Sequence, residues 1–490
     1  MNRSTPAWMK SREISTRVII EGDLVLETPA HFGGEAADAW SDMPLALDAL
    51  EGHALLTGAS LAGALRNYLF KRSGGSDESL GKLLFGYQER QEHKEDGEQS
   101  YLVVCDTLAG PPHVERRDGV AINAVTRTAI DERKFDMELL AAGTTFPIRL
   151  ELALPASRKL LLLEAMAIAL QGLERGEIPL GGRKRRGLGR CRVSTWRVRS
   201  YDLLSTSGLL GWLEDDQQRA QTGSDIAALL GVKNATRDQR CWFRIETTLA
   251  LASPLMIRSS TGTPDAPDLV HLHSPRPGAE KDVPVLSGTS LAGAIRARAG
   301  RIARTVGVAD PKALLEAMFG SDLAEQDREQ EKVLKAGKLW IHESEIQAKE
   351  LDWEKNWRQN RVKIDRFTGG SYPAALFDEQ PLFPVEQAYC TLILHLEKPE
   401  PAQIGLLLLV LKDLWTGDLP LGGESSVGRG RLKGLSAHIS YRPGPDKPLE
   451  EWSLGAAPKD GADGSDLQIT GDQNRLEKFV RALVGGQHAG

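Results

Sequence analysis

Two glycine-rich loops carry the residue types that bind phosphate groups. Their sequences are LGGRKRRGLGRCR at 180–192 and LGGESSVGRGRLK at 421–433, and they share the pattern GG-x4-G-x-G. Glycine allows backbone N–H groups to approach a phosphate closely, and arginine or lysine supplies the opposite charge. Neither loop contains the GK[ST] of a nucleotide-binding loop, and neither follows a predicted strand as the dinucleotide motif does. The alternative is a surface hairpin with a solvated basic face, which the six basic residues of 183–192 disfavour.

A second pair of segments could bind anions at a helix start. Residues 56–66 read LTGASLAGALR, and residues 286–296 read LSGTSLAGAIR. The Gly-x-Ser beginning predicts a turn and an N-cap, so free backbone N–H groups and a hydroxyl meet one turn before Arg66 or Arg296. The alternative is a capped core helix in which Gly63 and Gly293 permit close packing, and a second copy does not distinguish the two.

Four motifs occur twice in the same order, which indicates a duplicated domain. The copies are separated by 230, 234, 242 and 241 residues. Chance matches would keep neither order nor spacing. The four pairs are 56–66 with 286–296, 83–86 with 317–320, 120–123 with 362–365, and 176–182 with 417–423.

Length and composition limit the class of protein. A chain of 490 residues accommodates two domains, and no apolar run approaches the roughly 20 residues that span a bilayer. The four cysteines are scattered singly, so no zinc site is expected. No secretory signal is recognised at the N-terminus, so the expected location is the cytoplasm. The net charge of −6 argues against indiscriminate nucleic-acid binding, but the basic clusters allow a defined groove.

The order of predicted elements is βαββαβ in each half. Alternation predicts first strands at 14–28 and 242–252, and leucine-rich segments predict long helices at 160–175 and 402–415. This order is that of the ferredoxin-like split βαβ unit, so the predicted fold is α+β with two tandem ferredoxin-like domains. The predicted boundaries are a first domain at 1–202, a linker at 203–239, a second domain at 240–443, and a flexible tail with a short helix at 444–490.

Both halves resemble the RAMP superfamily of CRISPR effector proteins. GASLAGALR and GTSLAGAIR are similar to that family's G-x-S-L-x-G-x-x-R phrase, and the glycine-rich loops follow in the family's order. Within the family, the halves resemble the backbone subunit of type III complexes, whose inserted thumb hairpin fits residues 113–140 and 360–383. Two such subunits in one chain are similar to the tandem fusions of type III-D systems.

The resemblance implies a function and its residues. Backbone subunits bind the guide RNA (crRNA) and cleave complementary target RNA at regular intervals, with a divalent metal, Mg²⁺ or Mn²⁺. The family's catalytic aspartate lies in a D-x-P stretch before the helix phrase, which matches Asp42, sixteen residues before Gly58. In the second half Asp268 is preferred and Asp265 is the runner-up, and Asp42 and Asp268 are the possible metal ligands. The predicted RNA-binding residues are Gly58, Ser60, Gly63, Arg66, Arg117, Arg183, Lys184, Arg185, Arg186, Arg190, Gly288, Ser290, Gly293, Arg296, Arg361, Ser425, Ser426 and Arg429.

The implied partners are crRNA, target RNA and the other type III subunits: the polymerase-like large subunit, further backbone subunits and the small subunit. Two alternatives remain open. One is a purely structural crRNA-binding backbone without catalysis. The other is an endoribonuclease that processes the guide precursor, although no paired histidines suggest the acid–base chemistry such an enzyme uses.

Overall fold

Each half of the chain folds around an antiparallel sheet whose strands come from distant parts of the sequence. The computed structural model describes residues 13–34, 41–74, 78–91, 94–123, 126, 128–233, 238–259, 266–321, 334–348, 357–384, 387–457 and 466–484. Helices and strands are mixed in both halves, which confirms the predicted α+β class.

The first half contains the elements up to residue 229. They are β1 (Thr16–Leu26), β2 (Leu55–Leu56), α1 (Gly58–Arg72), α2 (Glu78–Phe85), β3 (Tyr87–Gln91), β4 (Lys94–Glu98), β5 (Leu102–Val104), β6 (Thr107–Leu108), β7 (Val114–Ile122), β8 (Ala129–Leu140), β9 (Thr145–Leu154), α3 (Lys159–Glu174), β10 (Cys191–Asp202), α4 (Thr206–Leu213), β11 (Gln221–Gly223) and α5 (Ile226–Leu229).

The second half contains the remaining elements. They are β12 (Trp242–Leu251), β13 (Arg258–Ser259), β14 (Leu269–His271), β15 (His273–Ser274), β16 (Val283–Leu286), α6 (Gly288–Thr305), α7 (Pro311–Phe319), β17 (Leu339–Ile341), β18 (Ser344–Gln347), β19 (Gln359–Ile364), β20 (Ser371–Gln380), β21 (Tyr389–Glu397), α8 (Pro401–Trp415), β22 (Leu432–Arg442), β23 (Glu450–Ala457), β24 (Asp466–Thr470) and α9 (Gln473–Val484).

The two sheets share one strand order. The first sheet runs β11-β10-β1-β9-β5, and the second places β12 between β22 and β21, with β17 and β18 both paired to β21. Alternate residues of the central strand, such as Val18 and Ile20 of β1, are buried in one core with the apolar faces of α1 and α3. Strand alternation therefore supplies the core face on which the helices pack.

An antiparallel hairpin is inserted before the third main strand of each half. β7 pairs with β8 in the first half, and β19 pairs with β20 in the second. These are the segments in which the sequence predicts thumb hairpins. Both leave apolar side chains in solvent, among them Ile122, Ile364 and Phe367, which is 99% exposed.

The segments predicted as linker and flexible tail both contain helices and strands among their described residues. In the linker, β11 pairs with β10, and Ile226 and Leu230 enter the first core. In the tail, β23 and β24 extend the second sheet, and α9 buries Phe479 against α8. The short helix predicted in the tail is present as α9, and the described elements of both segments pack on the neighbouring domain. No helix in the described ranges is long and apolar enough to span a membrane.

A buried carboxylate joins the two halves. Glu343, in the turn between β17 and β18, is fully buried, and it binds Arg117 of β7 and Arg276 of its own half. Arg117 also binds Glu115 (2.5 Å) and Ser274 (3.1 Å). Burial disfavours the charged carboxyl group, but the two guanidinium groups outweigh burial and lower the pKa of Glu343. The first hairpin is thereby attached to the second half.

Replacing Glu343 should weaken the contact between the two halves and destabilise the fold. Glu343→Gln removes the buried charge that Arg117 and Arg276 share. Each arginine then keeps only its other carboxylate, Glu115 or Glu345, so we expect the free energy of unfolding to fall by about 3 kcal/mol. Because the folded-state pKa is lowered, the stabilisation by Glu343 is present at neutral pH and is lost as the pH falls below the ordinary glutamate value. Urea unfolding between pH 3 and 7 measures both effects.

The matched control is Glu345→Gln, because Glu345 also binds Arg276 but its side chain is 43% exposed. This change should cost about 1 kcal/mol or less. Equal losses for the two variants would contradict the role given to the buried carboxylate.

Candidate nucleic-acid interface and aspartate loops

The loop that carries Asp42 is attached to the first hairpin by a reciprocal pair of hydrogen bonds. The Asp136 N–H donates to Asp42 Oδ2 (3.1 Å), and the Asp42 N–H donates to Asp136 Oδ1 (3.3 Å). Met43 forms a parallel bridge with Met137 on β8. The Asp42 side chain is exposed, so the loop presents its carboxylate to solvent from a fixed backbone.

The second half repeats this arrangement at Asp268. The Asp268 N–H donates to Asp378 Oδ1 (2.9 Å), and the Asp378 N–H donates to Asp268 Oδ2 (3.0 Å). Leu269 pairs in parallel with Glu379, as Met43 does with Met137. Asp268 is therefore the structural counterpart of Asp42, and Asp265 lies outside the described residues. We call each mutual pair, Asp42–Asp136 and Asp268–Asp378, an aspartate clasp.

The hairpin members of the clasps were missed from the sequence. Their signal is a Phe-Asp step, Phe135-Asp136 and Phe377-Asp378, which recurs at the spacing of the duplication. The hydrogen bond from the Asp42 backbone lowers the pKa of Asp136, because it favours the charged carboxylate. Each clasp therefore places an exposed carboxylate, Asp42 or Asp268, beside a half-buried one, Asp136 or Asp378.

Two carboxylates do not make a complete metal cage. Among the described residues, no group of three or more His, Cys, Asp or Glu side chains could hold a metal ion. Mg²⁺ is commonly held by one or two carboxylates together with substrate phosphates and water, and the donor oxygens of a clasp fit that mode. Asp42 and Asp268 remain predicted ligands of such an ion.

The two glycine-rich loops have the same backbone course. Leu180 and Gly189 are hydrogen-bonded across the first loop, as Leu421 and Gly430 are across the second. A Cβ on Gly189 would lie 1.8 Å from the Leu180 carbonyl oxygen, and the counterpart distance at Gly430 is 1.9 Å. These glycines are required by the loop's own closure, which is a different reason from the approach of phosphate.

The first loop concentrates positive charge. Arg183 has positive φ (51°), stacks on Phe135 at 4.4 Å, and reaches the sulfur of Met43, next to Asp42. Lys184 is half-buried, and burial together with nearby Lys71 and Arg185 lowers its pKa. Within the described part of the chain, no carboxylate pairs with Arg183, Lys184 or Arg185. Partly desolvated cations without carboxylate partners favour the binding of an anion.

This loop lies over the helix start of the second half. A Cβ on Gly288 would lie 2.1 Å from the Arg186 carbonyl oxygen, and Arg185 stacks on Trp340 at 5.3 Å. Arg190 instead binds Glu27 at 3.1 Å. The basic loop and the N-terminus of the 18-residue α6 thus share one surface at the junction of the halves.

The two helix phrases form capped starts. Thr57 and Ser287 are the N-caps, and each accepts from the N–H of Ser60 or Ser290 at 3.3 Å. The Gly58 N–H donates to Asp106 at 2.7 Å, so this group is already satisfied within the chain. The predicted serines therefore belong to the cap.

The middle of each phrase faces open space. A Cβ on Gly63 or Gly293 would meet no atom within 4 Å, so neither glycine permits packing within this chain. Arg66 is exposed beside Gly63, in a groove between α1 and α2 that Phe70 and Lys82 also line. Arg296 is half-buried on α6.

Three of the predicted RNA-binding cations, Arg117, Arg361 and Arg429, are paired with carboxylates. Arg117 is buried with Glu343, which corrects the prediction that it contacts RNA. Arg429 is 5% exposed and binds Glu379, which corrects the same prediction for that residue. Arg361 binds Glu379 at 2.5 Å and Glu424 at 3.3 Å. Ser425 and Ser426 form a short 3-10 turn where the first loop has Lys184 and Arg185.

Removing the hairpin carboxylate should release the aspartate loop. In Asp136→Ala the Asp42 N–H loses its acceptor, so we expect hydrogen exchange of the 41–45 segment to become several-fold faster. Hydrogen–deuterium exchange with mass spectrometry measures this, and Asp378→Ala should act alike on Asp268. Asp118→Ala is the control, because Asp118 lies opposite Asp136 on the same hairpin, whereas its own carboxylate forms an ion pair with exposed Lys134. Unchanged exchange in both loops would contradict the clasps.

Comparison with protein families agrees with the duplication. The family model described as the RAMP superfamily matches twice, at residues 23–192 and 248–433, one segment in each half. These segments cover more than two thirds of the chain and include both clasps and nearly all of both glycine-rich loops. Among curated proteins, none matches the chain.

Proposed function

The chain belongs to the RAMP superfamily, with one family segment in each half. From this premise we propose that it is a backbone subunit of a type III CRISPR effector complex, similar to the fused subunits of type III-D. It binds crRNA and cleaves complementary target RNA through Asp42 and Asp268. Its partners are the two RNAs, the polymerase-like large subunit, further backbone subunits and the small subunit.

The fold supports this assignment. Numbered along the chain, the four main strands of each half lie side by side in the order fourth, first, third, second. They are β10-β1-β9-β5 in the first half and β22-β12-β21-β17 in the second, an order that suits a ferredoxin-like palm. The hairpins β7–β8 and β19–β20 are the thumbs, and their exposed apolar side chains suit contact with unstacked bases. The palm positions the backbone of the RNA, and the thumbs set intervals along it.

The observation that carries the proposal is the basic loop at the junction. Among the described residues, Arg183, Lys184 and Arg185 have no carboxylate partner, and the 184–186 turn of this loop contacts the start of α6. A helix N-terminus attracts anions through its free N–H groups and its dipole. A phosphate chain that crosses from one half to the other meets both features at this place.

The clasps supply the chemistry of cleavage. In RNA the 2′-oxygen attacks the adjacent phosphorus while the 5′-oxygen of the next nucleotide leaves and takes a proton from water, so a 2′,3′-cyclic phosphate and a 5′-hydroxyl form. Asp42 orients the 2′-hydroxyl and accepts its proton, and Arg183, which touches the following Met43, stabilises the charge that develops on the phosphate. A bound Mg²⁺ or Mn²⁺ would add further charge stabilisation beside Asp42 or Asp268.

The second half carries the opposite charge at one position of this site. Glu424 has the positive φ (61°) and loop position of Arg183, and it binds Arg361 and Arg429. A carboxylate there cannot stabilise a phosphate, so cleavage at Asp268 is expected to be slower. This favours the structural-backbone alternative for the second half.

Neutralising the basic loop tests RNA binding. The double variant Arg183→Ala, Lys184→Ala should bind single-stranded RNA more weakly, and its slope of log affinity against log salt should fall by about 0.7 for each lost contact. Fluorescence anisotropy between 50 and 300 mM salt measures this. Ser425→Ala, Ser426→Ala at the equivalent second-half positions is the control. An unchanged slope in the arginine–lysine variant would place the RNA elsewhere.

Replacing the loop aspartates tests cleavage. In the assembled complex, Asp42→Ala and Asp268→Ala should each slow one target cut by about 100-fold or more while guide binding persists. Gel mapping of cut positions measures this, and Asp23→Ala on β1 is a surface control. If all cuts survive both changes, the chain is a structural backbone. If the isolated chain trims guide precursor, it is a processing enzyme.

A further inference from the structure

The junction between the halves shows how one duplicated unit docks on another. On the first-half side, Arg117 binds Glu343, and Arg185 and Lys71 both stack on Trp340 at 5.3 Å. The turn at Gly187 approaches so closely that a Cβ there would lie 2.2 Å from the Glu343 nitrogen. Docking therefore needs an arginine on the hairpin, a cation on the loop, and a glycine at the turn.

The receiving surface has a counterpart in the first half. Ile341 pairs with Leu394 on β21, and Val104 pairs with Leu150 on β9, which aligns the two short strands. Val103 and Asp106 thus occupy the positions of Trp340 and Glu343. Val103 is 57% exposed, and Asp106 is exposed with one oxygen accepting from Gly58. This end of the first half, formed by Val103, Asp106 and the start of α1, is the receiving end.

The docking surface also has a counterpart, on the outer end of the second half. Gln359 stands at the position of Arg117. Arg117 pairs with Met137 across the first hairpin, and Gln359 pairs with Glu379, the counterpart of Met137, across the second. Ser426 and Val427 replace Arg185 and Arg186, and a Cβ on Gly428 would meet no atom within 4 Å. The turn has kept its shape but has lost the two arginines that lie against the second half at the junction.

We infer that the receiving end binds a different protein, one that presents a glycine turn flanked by basic residues together with an arginine for Asp106. A second copy of this chain does not fit, because its outer end offers Gln359 and Ser426 where the junction uses arginines. Charge complementarity and the junction already present within the chain both support this partner. The inference is independent of whether the aspartates cleave RNA.

A donor and receiver experiment tests the inference with the chain itself as the probe. The donor carries Gln359→Arg and Ser426→Arg, which restore the docking cations, and Asp106→Lys, which prevents it from receiving. The receiver is the wild-type chain. We expect the wild type alone to be monomeric in sedimentation velocity, and the donor–receiver mixture to form a 1:1 complex.

The control receiver is Asp106→Lys, which should bind the donor at least about ten-fold more weakly. Circular dichroism shows whether each variant is folded. If the donor with three changes is not folded, a donor with only Ser426→Arg and Asp106→Lys replaces it, because both of these changes lie on exposed turns. The inference is overturned if a folded donor binds neither receiver, if it binds both receivers equally, or if the wild type self-associates through Asp106.

Discussion

Glu343 is the carboxylate around which the two halves are arranged. Its partners, Arg117 and Arg276, come from different halves, and all three side chains are almost fully buried. A buried ion pair contributes little net stability, but breaking it is costly, so it selects one arrangement against others. Through this arrangement the first glycine-rich loop lies over the start of α6. The surface assigned to RNA therefore depends on a contact that itself touches no RNA.

Duplication has kept the backbone of the two sites while their side chains have diverged. Met137 packs on Leu188 in the first half, and the same two positions hold Glu379 and Arg429 in the second. The loop residue with positive φ is Arg183 in one half and Glu424 in the other. An apolar pair leaves Arg183 without a carboxylate, whereas the second ion pair collects Glu424 and Arg361 into a neutral cluster. The charge difference between the sites thus originates in the packing beneath them.

Local sequence patterns predicted the elements that depend on interactions between residues close in the chain. Alternation located β1 and β12, and the recurrence of short motifs located both helix starts, whereas the segments of the two hairpins came from the family resemblance. The partner of Arg117 could not be predicted, because Glu343 is 226 positions away and the pairing depends on how the halves dock. In the tail the predicted short helix corresponds to α9, whereas the pairing of β23 with the sheet edge at β22 depends on contacts that a local pattern does not show. Asp136 and Asp378 were overlooked because their role lies in backbone hydrogen bonds.

Some glycines are required by the chain's own fold, whereas contacts among the described residues do not explain others. At Gly181 and Gly189 a Cβ would collide with the chain's own carbonyl groups, so folding alone requires glycine there. At Gly63 and Gly293 a Cβ would meet nothing, although glycine inside a helix costs about 0.5–1 kcal/mol relative to alanine. No described residue packs on either glycine, so the helix backbone is open to close approach by another molecule there. Both positions lie about one turn into the helices whose starts flank the proposed path of the RNA, so a ribose-phosphate strand on that path has room to approach the backbone.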